Sequence, residues 1–147
     1  MNYTALATLV WIIGGTLAPP ATLSEPASDG PRLVTGSPVR ATVDPGRPIV
    51  VQLANETDRL LNYARANEPP RSLPPGATGQ LFLKVNPRRG ETGSILINTP
   101  ASTNPLTYEF HVDRDNVLRV SIRPTAADDP HQNRAIFIDE RGRVYAF

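Results

Sequence analysis

From residue 32 onward, apolar side chains recur at every second position in short runs, and Pro, Gly, Asn or Asp breaks the runs at roughly ten-residue intervals. A period of two puts alternate residues on one face of an extended chain, so each run reads as a strand with one side to bury. Ile49, Val51 and Leu53 alternate with Val50, Gln52 and Ala54; Leu81, Leu83 and Val85 with Phe82 and Lys84; Ile95 and Ile97 with Leu96 and Asn98. Tyr108, Phe110 and Val112 alternate with Glu109, His111 and Asp113, and Leu118, Val120 and Ile122 with Arg119, Ser121 and Arg123. The pattern predicts an all-β domain over 32–147, an antiparallel β-sandwich of about eight to ten short strands. Asp113-Arg114-Asp115-Asn116 and Asp139-Glu140-Arg141-Gly142 are polar four-residue links that predict hairpins. One stretch competes: Thr57 to Asn67 has a capping residue at Thr57 and apolar residues at 60, 61 and 64, the spacing of a short helix.

The amino end is of another kind. Ala5 to Leu17 carries no charge, a length inside the roughly 7–15 residues of a signal-peptide core and short of the roughly 20 that span a bilayer. Residues 1–18 are therefore expected to form an apolar helix that serves as a signal peptide or as an N-terminal membrane anchor. No Lys or Arg precedes the segment, and Pro19-Pro20 follows the small-x-small run Thr16-Leu17-Ala18, which disfavours cleavage and keeps both readings open. Residues 19–31 are rich in Pro, Ser and Ala and read as a linker. The expected address is export: periplasmic or secreted, or held at a membrane by the N-terminal segment.

Several chemistries find no residues to carry them. The formal charge is +1, too small a field to gather nucleic acid. With no cysteine, the chain has no disulfide, thiolate metal ligand, cysteine nucleophile or lipidated cysteine. His111 and His131 are the only histidines, and no serine has the glycines of a nucleophile elbow. Asp113 with Asp115, and Asp128-Asp129-Pro130-His131, lack the ligand spacing of a calcium loop and read as turns. No glycine-rich phosphate loop is present, and Trp11, the one tryptophan, lies in the leader. No catalysis, cofactor, metal or small-molecule substrate is expected, and the expected class is a binding module.

What remains is a set of cations. Arg88-Arg89-Gly90 after Asn86-Pro87 forms a basic loop tip suited to an acidic partner or a lipid headgroup, set against the plainer reading of a solvated turn. Arg119 and Arg123, with Arg65 and Arg71, are candidates to extend it, so that Arg88, Arg89, Arg119 and Arg123 are the expected partner contacts. A protein partner or self-assembly is expected, with membrane contact through the N-terminal segment. Asn55-Glu56-Thr57 fits the glycosylation acceptor pattern.

The stretch GQLFLKVNPRRGETGSILINTPASTNPLTYEFHV, residues 79–112, resembles the part of periplasmic conjugation and type IV secretion core subunits where an L-F-x-K strand precedes an N-T and a Y-x-F strand. The upstream DPGRPIVVQLANETDRL is similar to the opening strands of such domains. The resemblance covers about half the chain and implies a structural β-sandwich subunit of the cell envelope, without catalysis. A second resemblance, to lipid-binding β-sandwiches of the aegerolysin kind, rests on Asn55 and Thr57, Pro74-Pro75-Gly76 and Gly90 to Gly93, and implies recognition of membrane lipid.

Overall fold

The computed structural model describes residues 37–99, 105–129 and 132–147. The predicted leader and linker, Trp11 and His131 lie outside them. The described residues form ten strands: β1 (Ala41–Thr42), β2 (Ile49–Asn55), β3 (Leu61–Arg65), β4 (Arg71–Leu73), β5 (Thr78–Leu83), β6 (Gly93–Asn98), β7 (Leu106–Val112), β8 (Val117–Pro124), β9 (Ala135–Ile138) and β10 (Arg143–Ala146). They make a six-stranded sheet in the order β1-β10-β9-β6-β3-β4 and a four-stranded sheet in the order β5-β2-β8-β7. The domain is all-β and has two sheets, as the alternation required.

The core is built from the inward parity of each strand. Ile49, Val51 and Leu53 of β2 and Leu118, Val120 and Ile122 of β8 face Leu61, Ile95, Ile97, Ile136 and Ile138 of the six-stranded sheet, and all are essentially fully buried. Both predicted hairpins form: Phe110 pairs with Val120 across the Asp113–Asn116 turn, and Tyr145 pairs with Phe137 across the Asp139–Gly142 turn.

One expectation gives way, and one open alternative closes. β2 and β8 run parallel, with Leu53 beside Val120, so the pairing is not antiparallel throughout. Asn116 supplies the reason, because it holds the starts of both strands at one end. In a left-handed conformation with φ 63°, it donates from Nδ2 to the carbonyls of Asp44 and Pro48 at 3.0 and 3.1 Å, and its Oδ1 accepts from Asp44 N–H at 2.7 Å. The short helix that competed over Thr57–Asn67 does not form; the stretch is a turn followed by β3. Burial follows Leu61 and Tyr63, at strand spacing, and leaves Leu60 43% exposed. Thr57 does cap, but it caps a turn: its hydroxyl donates to Asn55 Oδ1 at 2.7 Å and accepts from Arg59 N–H at 3.2 Å.

Asn55 anchors that turn from inside. Its Nδ2 donates to the carbonyls of Arg59 and Leu73 at 2.7 and 2.9 Å, and the side chain is buried. Both amide hydrogens are thus engaged, and a glycan on this nitrogen is incompatible with the folded domain.

Tyr108 Oη is a buried side-chain oxygen without a hydrogen-bond partner among the described residues. Burial pushes its phenol far above the ordinary range, and the charge of Arg134 offsets this only in part. The ring packs edge-on against Phe110 at 6.3 Å, so its apolar contribution is intact while its hydroxyl is desolvated. Tyr108→Phe is therefore expected to hold or raise stability, by up to about 1 kcal/mol. A urea titration that lowered the midpoint would show that the hydroxyl stabilises the fold after all.

The loops β1–β2, β3–β4, β5–β6, β7–β8 and β9–β10 gather at one end of the sandwich. Val43 N–H bonds Gly142 O at 2.9 Å, Ala66 N–H bonds Ser94 O at 3.3 Å, and Asn116 ties β1–β2 to β7–β8.

Candidate functional site

The outward parity of the four-stranded sheet forms three registered rows. Phe82, Val50 and Val117 lie side by side nearest the loop end; Gln80, Gln52, Arg119 and His111 form the next row; Thr78, Ala54, Ser121 and Glu109 form the third. A solvent-facing row is expected to be polar, yet the first is apolar and its Phe82 is 66% exposed. The sequence showed Phe82 and Lys84 on the outward parity of the run 81–85, although nothing in it singled them out as a site.

The predicted arginines do not form one patch. Arg119 and Arg123 share the outer face of β8, about 13 Å apart along the strand. Arg119 Nη2 meets Asp113 Oδ2 at 3.2 Å, while Arg123 meets Glu56 at 2.6 Å and Glu109 at 2.8 Å. Arg65 and Arg71 both grip Glu68 of the β3–β4 loop, at 3.1 and 3.5 Å. Arg89 faces Glu91 at 3.7 Å. Arg88 stands apart, with no ion pair among the described residues.

The loop that carries Arg88 is firmly built. Asn86 O accepts from the N–H groups of Arg89 and Glu91, both at 3.1 Å, and Asn86 Oδ1 accepts from Arg88 N–H at 3.0 Å. Gly90 turns the chain with φ 63°. Between this loop and the β1–β2 turn is a cleft of about 440 Å³ lined by Pro45, Gly46, Lys84, Val85, Asn86, Pro87 and Arg88.

The sheet edges are less open than the strand pattern suggests. At β5, Arg65 Nη1 donates to the Phe82 carbonyl at 3.1 Å. At β7, Asn133 N–H donates to Leu106 O at 2.7 Å and Arg40 Nη2 to Tyr108 O at 3.4 Å. These donors occupy acceptors that an added strand would need.

Among the other singled-out residues, His111 is exposed on β7 in register with Arg119. Asp113 closes its turn, accepting from the N–H groups of Asp115 and Val117 at 3.0 Å each. Asp129 accepts from the Thr125 hydroxyl. No group of three acidic or histidine side chains that could hold a metal ion occurs among the described residues. Asp139 carried no signal beyond its place in a turn, yet it is 2% exposed. It accepts from the N–H groups of Arg141 and Arg143 and from Arg143 Nε at 3.0, 2.9 and 2.7 Å.

Burial alone would raise the Asp139 carboxyl, but the Arg143 N–H, the Arg143 side chain and the Arg141 N–H hold it below the ordinary aspartate range. The N–H of Val117, ahead of Arg119, lowers Asp113 in the same way, and a bond from Arg123 lowers Glu56. In each case the unfolded chain binds the proton more tightly than the folded one. Their stabilisation is therefore complete above about pH 5 and is lost as pH falls through about 4 and below. The thermal midpoint should be flat near neutrality and drop in acid, and Asp139→Asn should flatten the drop. A midpoint unchanged down to pH 3 would contradict this.

Fold and site together define an all-β sandwich with an apolar row on one sheet face and a basic cleft beside it. No family model matches the chain, and no curated protein does either.

Proposed function

We propose that this chain is a non-enzymatic, exported β-sandwich module that binds protein or assembles within the cell envelope, and that the outer face of its four-stranded sheet is the contact surface. The observation that carries this reading is Phe82, 66% exposed and in register with Val50 and Val117. Covering such a ring is worth about 1.5–3 kcal/mol, an incentive for a partner that the isolated domain leaves unused. The donors on the edges of β5 and β7 favour recognition through the sheet face and loops over addition of a strand. The resemblance to envelope core subunits agrees with this class.

The test replaces Phe82, and separately Glu140, with the photo-crosslinking residue benzoylphenylalanine in the full chain expressed in its native cells. A discrete protein adduct from position 82 in the envelope or secreted fraction, absent from position 140, is the expected result. Adducts to lipid alone would favour a membrane-binding β-sandwich, and no adduct at 82 would remove the sheet face as a contact surface.

A further inference from the structure

We propose that the cleft between the β1–β2 turn and the β5–β6 loop receives the carboxylates of an acidic protein segment, held by Lys84 and Arg88. The inference rests on the reading of the domain as a protein-binding module and names the chemistry of its partner. Most arginines of the described domain are already matched: Arg59, Arg65, Arg71, Arg89, Arg119, Arg123, Arg141 and Arg143 each face a carboxylate within 4 Å. Lys84 and Arg88 have no such partner among the described residues, yet they line the same cleft, and no acidic side chain lines it with them. Arg40, Arg47, Arg114 and Arg134 also lack a carboxylate within 4 Å among the described residues, but none of them lines this cleft; Lys84 and Arg88, two unneutralised cations on one concave wall, form a local anion site.

The site is also held in place. Val85, 2% exposed, anchors the strand end between Lys84 and the loop, and the Asn86 carbonyl fixes the tip that bears Arg88. The backbone needs little ordering when an anion arrives. Lys84 follows Phe82 by two residues, just past the end of β5, about 7 Å further along an extended chain. A segment that covers the Phe82 row with an apolar side chain would thus bring flanking carboxylates to the cleft.

A protein segment suits this end of the molecule better than an anionic membrane does. Asp44, Glu68, Glu91, Asp115 and Glu140 stand on the surrounding loops among Arg47, Arg89, Arg114 and Arg141, so this end offers a flat anionic surface no uniformly positive face. A single extended segment can enter between them.

The experiment titrates the full chain into a fluorescently labelled heptapeptide of glutamates with one central phenylalanine, and into its glutamine counterpart, at low salt. Lys84→Gln with Arg88→Gln should weaken binding of the glutamate peptide at least tenfold, and Arg141→Gln, with its cation on another loop, should leave it unchanged. Binding should fade in 0.5 M salt, and the glutamine peptide should bind at least tenfold more weakly. Equal binding of both peptides, or no loss in the double variant, overturns the proposal. So would pelleting with vesicles of seven parts phosphatidylcholine to three parts phosphatidylserine that depends on Lys84 and Arg88, if the peptide does not bind; that outcome assigns the cleft to a lipid headgroup. Crosslinking from position 82 without peptide binding would leave the protein-binding reading standing and remove only this cleft from it.

Discussion

Gly142→Ala in the full chain should destabilise the domain by more than about 4 kcal/mol, a large share of the roughly 5–15 kcal/mol that holds a native domain together. Gly142 has φ 78°, where a side chain costs about 1 kcal/mol by itself. The larger part is steric. A Cβ at this position would lie 2.1 Å from the Val43 carbonyl oxygen and 3.1 Å from Pro45 Cδ. Neither can withdraw cheaply, because Val43 N–H is bonded to Gly142 O and Val43 is buried at 3% exposure. Gly90→Ala is the matched control: its φ is 63°, and nothing lies within 4 Å of the added carbon. It should cost about 1 kcal/mol, the conformational part alone. Urea denaturation followed by far-UV circular dichroism separates the two, and equal losses at both positions would mean that the Val43 contact is not a constraint.

Leu53→Ala is expected to cost about 3–5 kcal/mol. Leu53 is fully buried on a central strand, paired with Gly79 on one side and Val120 on the other. A strand bonded along both edges cannot move inward to fill the hole, so the cavity persists and the loss falls in the upper part of the range for such truncations. Phe82→Ala, on the same sheet with opposite parity, should change stability by less than about 0.5 kcal/mol despite removing the larger side chain. The contrast can be read from denaturation midpoints. If Phe82→Ala proved as costly as Leu53→Ala, the ring would belong to the fold and would be a poor candidate for a contact surface.

Strand parity was legible in the sequence because each alternating run carries its own burial instruction. Leu53 as core and Phe82 as surface follow from their positions in IVVQLAN and TGQLFL. Pairing partners were not legible where they are remote. Nothing local to β2 announces β8 as a parallel neighbour, since the determinant is Asn116, 72 residues from the Asp44 backbone it grips. The stretch from Thr57 to Asn67 was ambiguous in the sequence because helical spacing at 60, 61 and 64 overlaps strand spacing at 61 and 63, and only tertiary contact resolves the overlap. Tyr63 fills space opposite Gly79, where an added Cβ would lie 2.7 Å from its hydroxyl oxygen. The arginines were visible as residues, but their neutralisation by Glu56, Glu109, Asp113 and Glu68 depends on which strands lie side by side. Of the four arginines expected to meet a partner, Arg88 alone lacks such a neighbour, and that emerges only when Arg89, Arg119 and Arg123 have been paired.

The five loops at one end of the sandwich differ in how much of the architecture they carry. The turns at Asp113–Asn116 and Asp139–Gly142 hold distant backbone in register through Asn116 and the Val43–Gly142 contact, whereas residues 66–70 and 86–91 are secured chiefly by bonds within themselves and to adjoining strands. As a scaffold, then, the domain has two exchangeable loops beside two fixed ones. New sequences grafted between β3 and β4, or between β5 and β6, would be displayed on a frame whose alignment is set elsewhere.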